Sequence, residues 1–156
     1  MTEYHKLPPG ALSGRYHALK DVDQPKVTDA TLTNDDEIVL KDIGIGNYDI
    51  SGWLSMIEEA NNPNMKFRLN NQDGLEGNIT YFIHHYGSFD KEVNLMDFTS
   101  DTGEIEFSAS KKGNSLINGL LRVTKAGTLA LQWAQFSNDV DSITLLKDSY
   151  LRLTAF

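Results

Sequence analysis

From residue 30 onward, apolar side chains recur at every second position in short runs set between turn-forming residues, the period of half-buried strands. Met65, Phe67 and Leu69 alternate with Lys66, Arg68 and Asn70. Residues 48–57 put Tyr48, Ile50, Gly52, Leu54 and Met56 on one face and Trp53 and Ile57 on the other. Residues 79–86 are β-branched and aromatic, and residues 128–136 set Leu129, Leu131 and Trp133 on one side. Residues 31–33 and 37–40 read as two short strands around an acidic turn, Asn34-Asp35-Asp36. Residues 43–47 read as a loop, and 61–64 and 71–74 as turns. Residues 115–124 fit helix or strand by period alone. Asn118-Gly119 at their centre disfavours helix by about 1 kcal/mol, so a strand is expected. Residues 87–110 are the least regular, with weak strand material at Val93, Leu95, Met96 and Phe98 and a short alternation over 104–108. Residues 143–145 and 150–155 are the last two strands. Short strands without an amphipathic helix predict an all-β domain, a sandwich or barrel, over residues 29–156.

Residues 1–28 break this pattern. They hold Pro8, Pro9, Gly10, Gly14 and Pro25, show no sustained period, and are expected to form an extended N-terminal arm. Tyr4, Leu7, Leu12, Tyr16 and Leu19 make the arm more apolar than a solvated tail requires, so they are candidates for contact with a partner.

Composition narrows the function classes. The 156 residues carry 22 acidic and 14 basic side chains, a net charge of -8, which argues against a basic nucleic-acid-binding surface. No run approaches the roughly 20 apolar residues of a membrane helix. The polar, proline-broken start is unlike a secretory signal. With no cysteine, disulfides, thiolate metal sites and cysteine nucleophiles all drop out, so stability is expected from a packed core, with burial against further copies as a second source.

Candidate chemistry is thin. His84 and His85 are adjacent on an expected strand and point to opposite faces, so they do not share one metal easily. The acidic groups at Asp35-Asp36-Glu37, Glu58-Glu59 and Asp139/Asp141 lack the spacing of a calcium loop and read as solvated surface. There is no nucleophile elbow, dinucleotide fingerprint or phosphate-binding loop. No enzyme activity, metal or cofactor is expected.

The C-terminal third is more specific. Residues 127–135 (GTLALQWAQ), 143–148 (ITLLKD) and 149–152 (SYLR) resemble a recurring ending of tailed-bacteriophage structural proteins, and the resemblance extends more weakly over residues 30–156. It departs at Asp148, where a glycine is usual, so a different final turn is expected. The resemblance implies a tumour-necrosis-factor-like jelly roll and a homotrimeric virion component with the major capsid protein as partner. At this size it implies a capsid decoration (cement) protein on the outer head surface, assembled in the host cytoplasm. The alternative is a tail or fibre head that binds host-surface glycans. On the last strand, Leu151, Leu153 and Ala155 suit the core. Tyr150, Arg152, Thr154 and Phe156 take the other side and form the candidate oligomer interface. No nucleic-acid or membrane partner is expected.

Overall fold

The computed structural model describes residues 14–58, 65–86, 89–97, 105–107 and 112–156, with side chains described for 14–58, 65–84 and 113–156. Among the described residues there are twelve strands and no helix. In chain order they are β1 Arg15–Leu19, β2 Gln24–Lys26, β3 Thr33–Ile43, β4 Gly46–Glu58, β5 Met65–Gln72, β6 Glu76–Tyr86, β7 Phe89–Asp97, β8 Ile105–Phe107, β9 Lys112–Lys125, β10 Gly127–Gln135, β11 Ile143–Leu145 and β12 Tyr150–Ala155.

The larger sheet runs β1-β12-β4-β9-β6-β7, with β11 also on β4 and β2 on β11; the smaller runs β3-β10-β5-β8. All of these pairings are antiparallel. The alternation seen in the sequence explains the stacking. Phe67, Leu69, Leu129, Leu131 and Trp133 from the smaller sheet meet Ile50, Leu54, Met56, Tyr81, Ile83, Ile117, Leu121, Leu151 and Leu153 from the larger, all buried in one core. The all-β sandwich expected from the pattern is the observed architecture.

Three places depart from the sequence reading. The acidic turn at residues 34–36 lies inside a single strand, β3, as a bulge. The β10–β3 ladder pairs Ala130 with Val39 and then Gln132 with Asn34, so extra residues bow out of register. Asp35 closes that bulge, because its Oδ1 accepts the backbone N–H groups of Glu37 at 3.0 Å and Ile38 at 2.8 Å.

The arm, expected to run to residue 28, is built into the sandwich from Gly14 onward. β1 pairs with β12 from Arg15↔Thr154 to Leu19↔Tyr150, and β2 pairs with β11. In so short a strand only Tyr16 and Ala18 turn inward, too few to show a period, yet β1 covers what would otherwise be an open β12 edge. Residues 1–13 lie outside the described residues. The final turn is the third departure. Asp148 adopts φ 69°, the left-handed conformation that glycine favours, so the turn keeps a glycine-like geometry despite the substitution.

One close approach is fixed by composition. Gly119 of β9 lies opposite Tyr81 of β6, and a Cβ there would fall 2.6 Å from both Tyr81 Cα and Cβ and still closer to the Thr80 carbonyl oxygen. Asn118-Gly119 is therefore the point where two central strands pack with no side chain between them.

Candidate functional site

The outer face of the larger sheet is built by the residues that alternate with the core set. Strand register aligns them in rows across five strands. One row is Leu19, Tyr150, Trp53, Leu116 and His84, on β1, β12, β4, β9 and β6 in turn. The next is His17, Arg152, Ser51, Asn118 and Phe82, and the third is Arg15, Thr154, Asp49, Leu120 and Thr80. Phe82 and Leu120 are each 53% exposed, and Phe156, just past β12, is 72% exposed. Aromatic and aliphatic groups thus fill the first row from Leu19 to Leu116, with Phe82 and Leu120 exposed in the two rows beside it, where Arg152, Ser51, Asn118, Arg15 and Asp49 supply polar groups.

Local contacts hold the band in place. The His17 and Tyr150 rings meet edge-on at 5.9 Å, and Arg152 Nε donates to Ser51 Oγ at 3.1 Å. Partial burial, and secondarily the Arg152 charge, hold the His17 imidazole below its ordinary value of 6.5. Of the expected interface set, Tyr150, Arg152 and Thr154 lie on this outer side, and Phe156, just past β12, is exposed. Ala155, expected in the core with Leu151 and Leu153, is exposed at the strand end, where its N–H donates to the Gly14 carbonyl. Trp53, Leu116, Phe82 and Leu120 belong to the same face, but only strand register reveals it; periodicity alone put Trp53 merely away from the core.

The expected arm contacts divide. Tyr4, Leu7 and Leu12 lie outside the described residues. Leu19 points outward into the first row. Tyr16 does not serve as an arm contact, because it turns inward against the core. Its hydroxyl donates to the Asp42 carbonyl and accepts from Gly44 N–H at 3.0 Å, and its ring meets Tyr48 at 5.8 Å. Burial, reinforced by that neighbour, pushes the Tyr48 hydroxyl up to about 12. His84 is exposed on the outer face, while the His85 side chain lies outside the described set.

A second cluster sits within one end of the sandwich. Lys20, immediately after β1, is 1% exposed and Asp35 is fully buried, which corrects the solvated reading at Asp35, while Asp36 is exposed. Lys20 Nζ donates to Asp35 Oδ2 at 2.8 Å, Gln24 Oε1 at 2.9 Å and Glu37 Oε2 at 3.2 Å. Trp133 Nε1 donates to the same Asp35 oxygen at 3.1 Å. Alongside, Lys26 Nζ donates to Thr33 Oγ1 and the Trp133 carbonyl, and lies 4.9 Å from the Trp133 ring centre. Among the described residues no three histidine, aspartate or glutamate side chains gather as a metal-holding group.

Two stacked antiparallel sheets in this order, with β1 and β12 side by side, form a jelly-roll sandwich. Among solved structures the chain is similar to the Eiger TNF of S. frugiperda, with a TM-score of 0.50, 12% identity and 91% of each chain covered. At that identity the likeness is one of fold. No protein-family profile matches the chain, and no curated protein matches it in sequence.

Proposed function

We propose that this chain is a non-enzymatic phage virion protein that assembles as a homotrimer on the outside of the head and reinforces the capsid shell. The observation that carries self-association is the outer face of the larger sheet, with Tyr150, Trp53 and Leu116 in one row and exposed Phe82 and Leu120 in the rows beside it. An aromatic and aliphatic row flanked on one side by rows that carry Arg15, Asp49 and Arg152 has the mixed composition of a protein–protein interface. The likeness of residues 127–152 to phage structural proteins supports a virion component, and the size of the chain, with little room for a fibre shaft, favours head decoration. A trimer that touches several shell subunits at once multiplies weak contacts into tight attachment. Residues 1–13, with Tyr4, Leu7 and Leu12, are the segment assigned to grip the shell.

Mass measurement in solution tests the assembly. The wild-type chain is expected at three times the protomer mass at micromolar concentration, and Trp53→Glu, which puts a charge into the centre of the band, at the monomer mass with its strand content intact. A wild-type monomer refutes the trimer. Gold-labelled protein on intact particles tests the location. Label at the tail tip instead of the head would replace decoration with the alternative of a receptor-binding head.

A further inference from the structure

The Lys20 cluster has the parts of a condensation site, and none of the assembly argument uses it. The amine carrier and the carboxyl are shut off from solvent, at 1% and 0% side-chain exposure, with Nζ 2.8 Å from Asp35 Oδ2. Asp35 Oδ1 is held by two backbone N–H groups, from Glu37 at 3.0 Å and Ile38 at 2.8 Å, the arrangement that stabilises an oxyanion forming at a carbonyl oxygen. Oδ2, the oxygen on the lysine side, takes the Trp133 indole N–H as well. A second carboxylate stands within reach, with Glu37 Oε2 3.2 Å from Nζ. The backbone N–H groups of Asp21 and Val22 fix Glu37 in turn, at 3.1 and 3.3 Å, and its side chain is 25% exposed, an exit toward water.

We propose that Lys20 and Asp35 become joined by an intramolecular isopeptide bond, with Glu37 carrying the proton. Glu37 takes one proton from the Lys20 ammonium, which frees the nitrogen lone pair while Gln24 and Asp35 hold the other two N–H groups. Nζ attacks Asp35 Cγ as Glu37 passes that proton to Oδ2, so that an N–C bond forms and the one remaining negative charge gathers on Oδ1 between the two backbone N–H groups. Oδ2 then receives a second proton from Nζ. The Cγ–Oδ2 bond then breaks and Oδ2 leaves as water. One ammonium and one carboxylate become one amide and one water, with no net change in protons or charge and no oxidant or reductant. The site favours this direction because it holds the reacting groups together in a dry space, where effective concentrations are very high. It also replaces a buried ion pair, which is costly to desolvate, with a neutral amide.

Intact mass spectrometry of the denatured full chain tests the proposal. The wild-type protein is expected to be lighter than its own sequence mass by one water, while Lys20→Met keeps its full sequence mass. A tryptic digest should contain a branched peptide that joins the segments holding residues 20 and 35, with no cleavage after Lys20. Glu37→Gln, which retains both bonding partners, is expected to form the link about 10²-fold more slowly or worse. A wild-type chain at full mass with separate Lys20 and Asp35 peptides overturns the proposal, whatever the variants do. So does a water loss that maps to any other residue. Linkage in Glu37→Gln at the wild-type rate overturns the role given to Glu37.

Discussion

Gly119→Ala sets two effects of opposite sign against each other at the closest strand contact described above. On chain entropy alone, removing a glycine from a strand interior should stabilise the protein by about 0.5–1 kcal/mol. The geometry opposes this. The new methyl would lie 2.6 Å from Tyr81 Cα and Cβ, with the Thr80 carbonyl oxygen nearer still. Two of those three atoms are backbone, so no side-chain rotation relieves the contact, and β6 and β9 must move apart. They share a ladder that runs from Glu76↔Lys125 to Tyr86↔Asn114, and Tyr81 is fully buried. Overpacking of this kind costs about 1–3 kcal/mol, and the rigid partners place this site near the upper end. After the entropic gain, a net loss of about 2 kcal/mol remains. For a chain of this length that lowers Tm by roughly 4–8 °C. Urea unfolding followed by tryptophan fluorescence should show a lower midpoint at unchanged slope, at a protein concentration held equal for both chains. A variant as stable as wild type, or more so, would mean that the ladder yields freely and that the packing argument for Gly119 is wrong.

Three further outcomes are expected. Asp148→Ala should be less stable than Asp148→Gly by about 1 kcal/mol in thermal unfolding, because residue 148 sits at φ 69°; the opposite order would show that the turn relaxes. His17 has a folded pKa below its ordinary 6.5, so the unfolded chain binds the proton first and wild-type stability should fall as pH drops through about 6.5. His17→Gln should lose less over the same window, and parallel stability–pH curves for the two proteins would remove His17 as the cause. Deletion of residues 1–13 leaves β1 whole, so the truncated chain should unfold at the wild-type temperature yet fail to co-sediment with undecorated phage shells; unchanged co-sedimentation would free the arm of the gripping role.

The legible parts of the fold were those whose partners lie on the same sheet face at regular spacing. Met65-Phe67-Leu69, Leu129-Leu131-Trp133 and Leu151-Leu153 each declare an inward side without reference to the rest of the chain. β1 was hidden because its reason for being extended lies at the other terminus, where Arg15 pairs with Thr154. The β3 bulge was hidden for a similar reason. Asp35 is acidic and flanked by acidic residues, and only its bonds to Lys20, 15 residues away, and Trp133, 98 residues away, make it a core group. The candidate face was half visible. Alternation on the last strand separated Tyr150 and Arg152 from the core residues, but the alignment of Tyr150 with Trp53 and Leu116 depends on register, which periodicity does not supply.

The adjacency of β1 and β12 also orders events in time. β12 lies between β1 and β4, and Lys20 and Asp148–Ser149 exchange backbone hydrogen bonds at 2.8 Å just beyond the β1–β12 ladder. During synthesis, therefore, β1 emerges early and has no ladder to join until residues 150–155 have left the ribosome. Until then β4 presents a bare edge, and the Lys20 backbone lacks its partners at Asp148 and Ser149. Closure of the larger sheet is a single late event that depends on contacts far apart in sequence, so folding should be slow, on the order of milliseconds to seconds. A stalled or shortened chain would then display two unsatisfied strand edges at once, which makes the six residues of β12 a checkpoint between a nascent chain and a folded one.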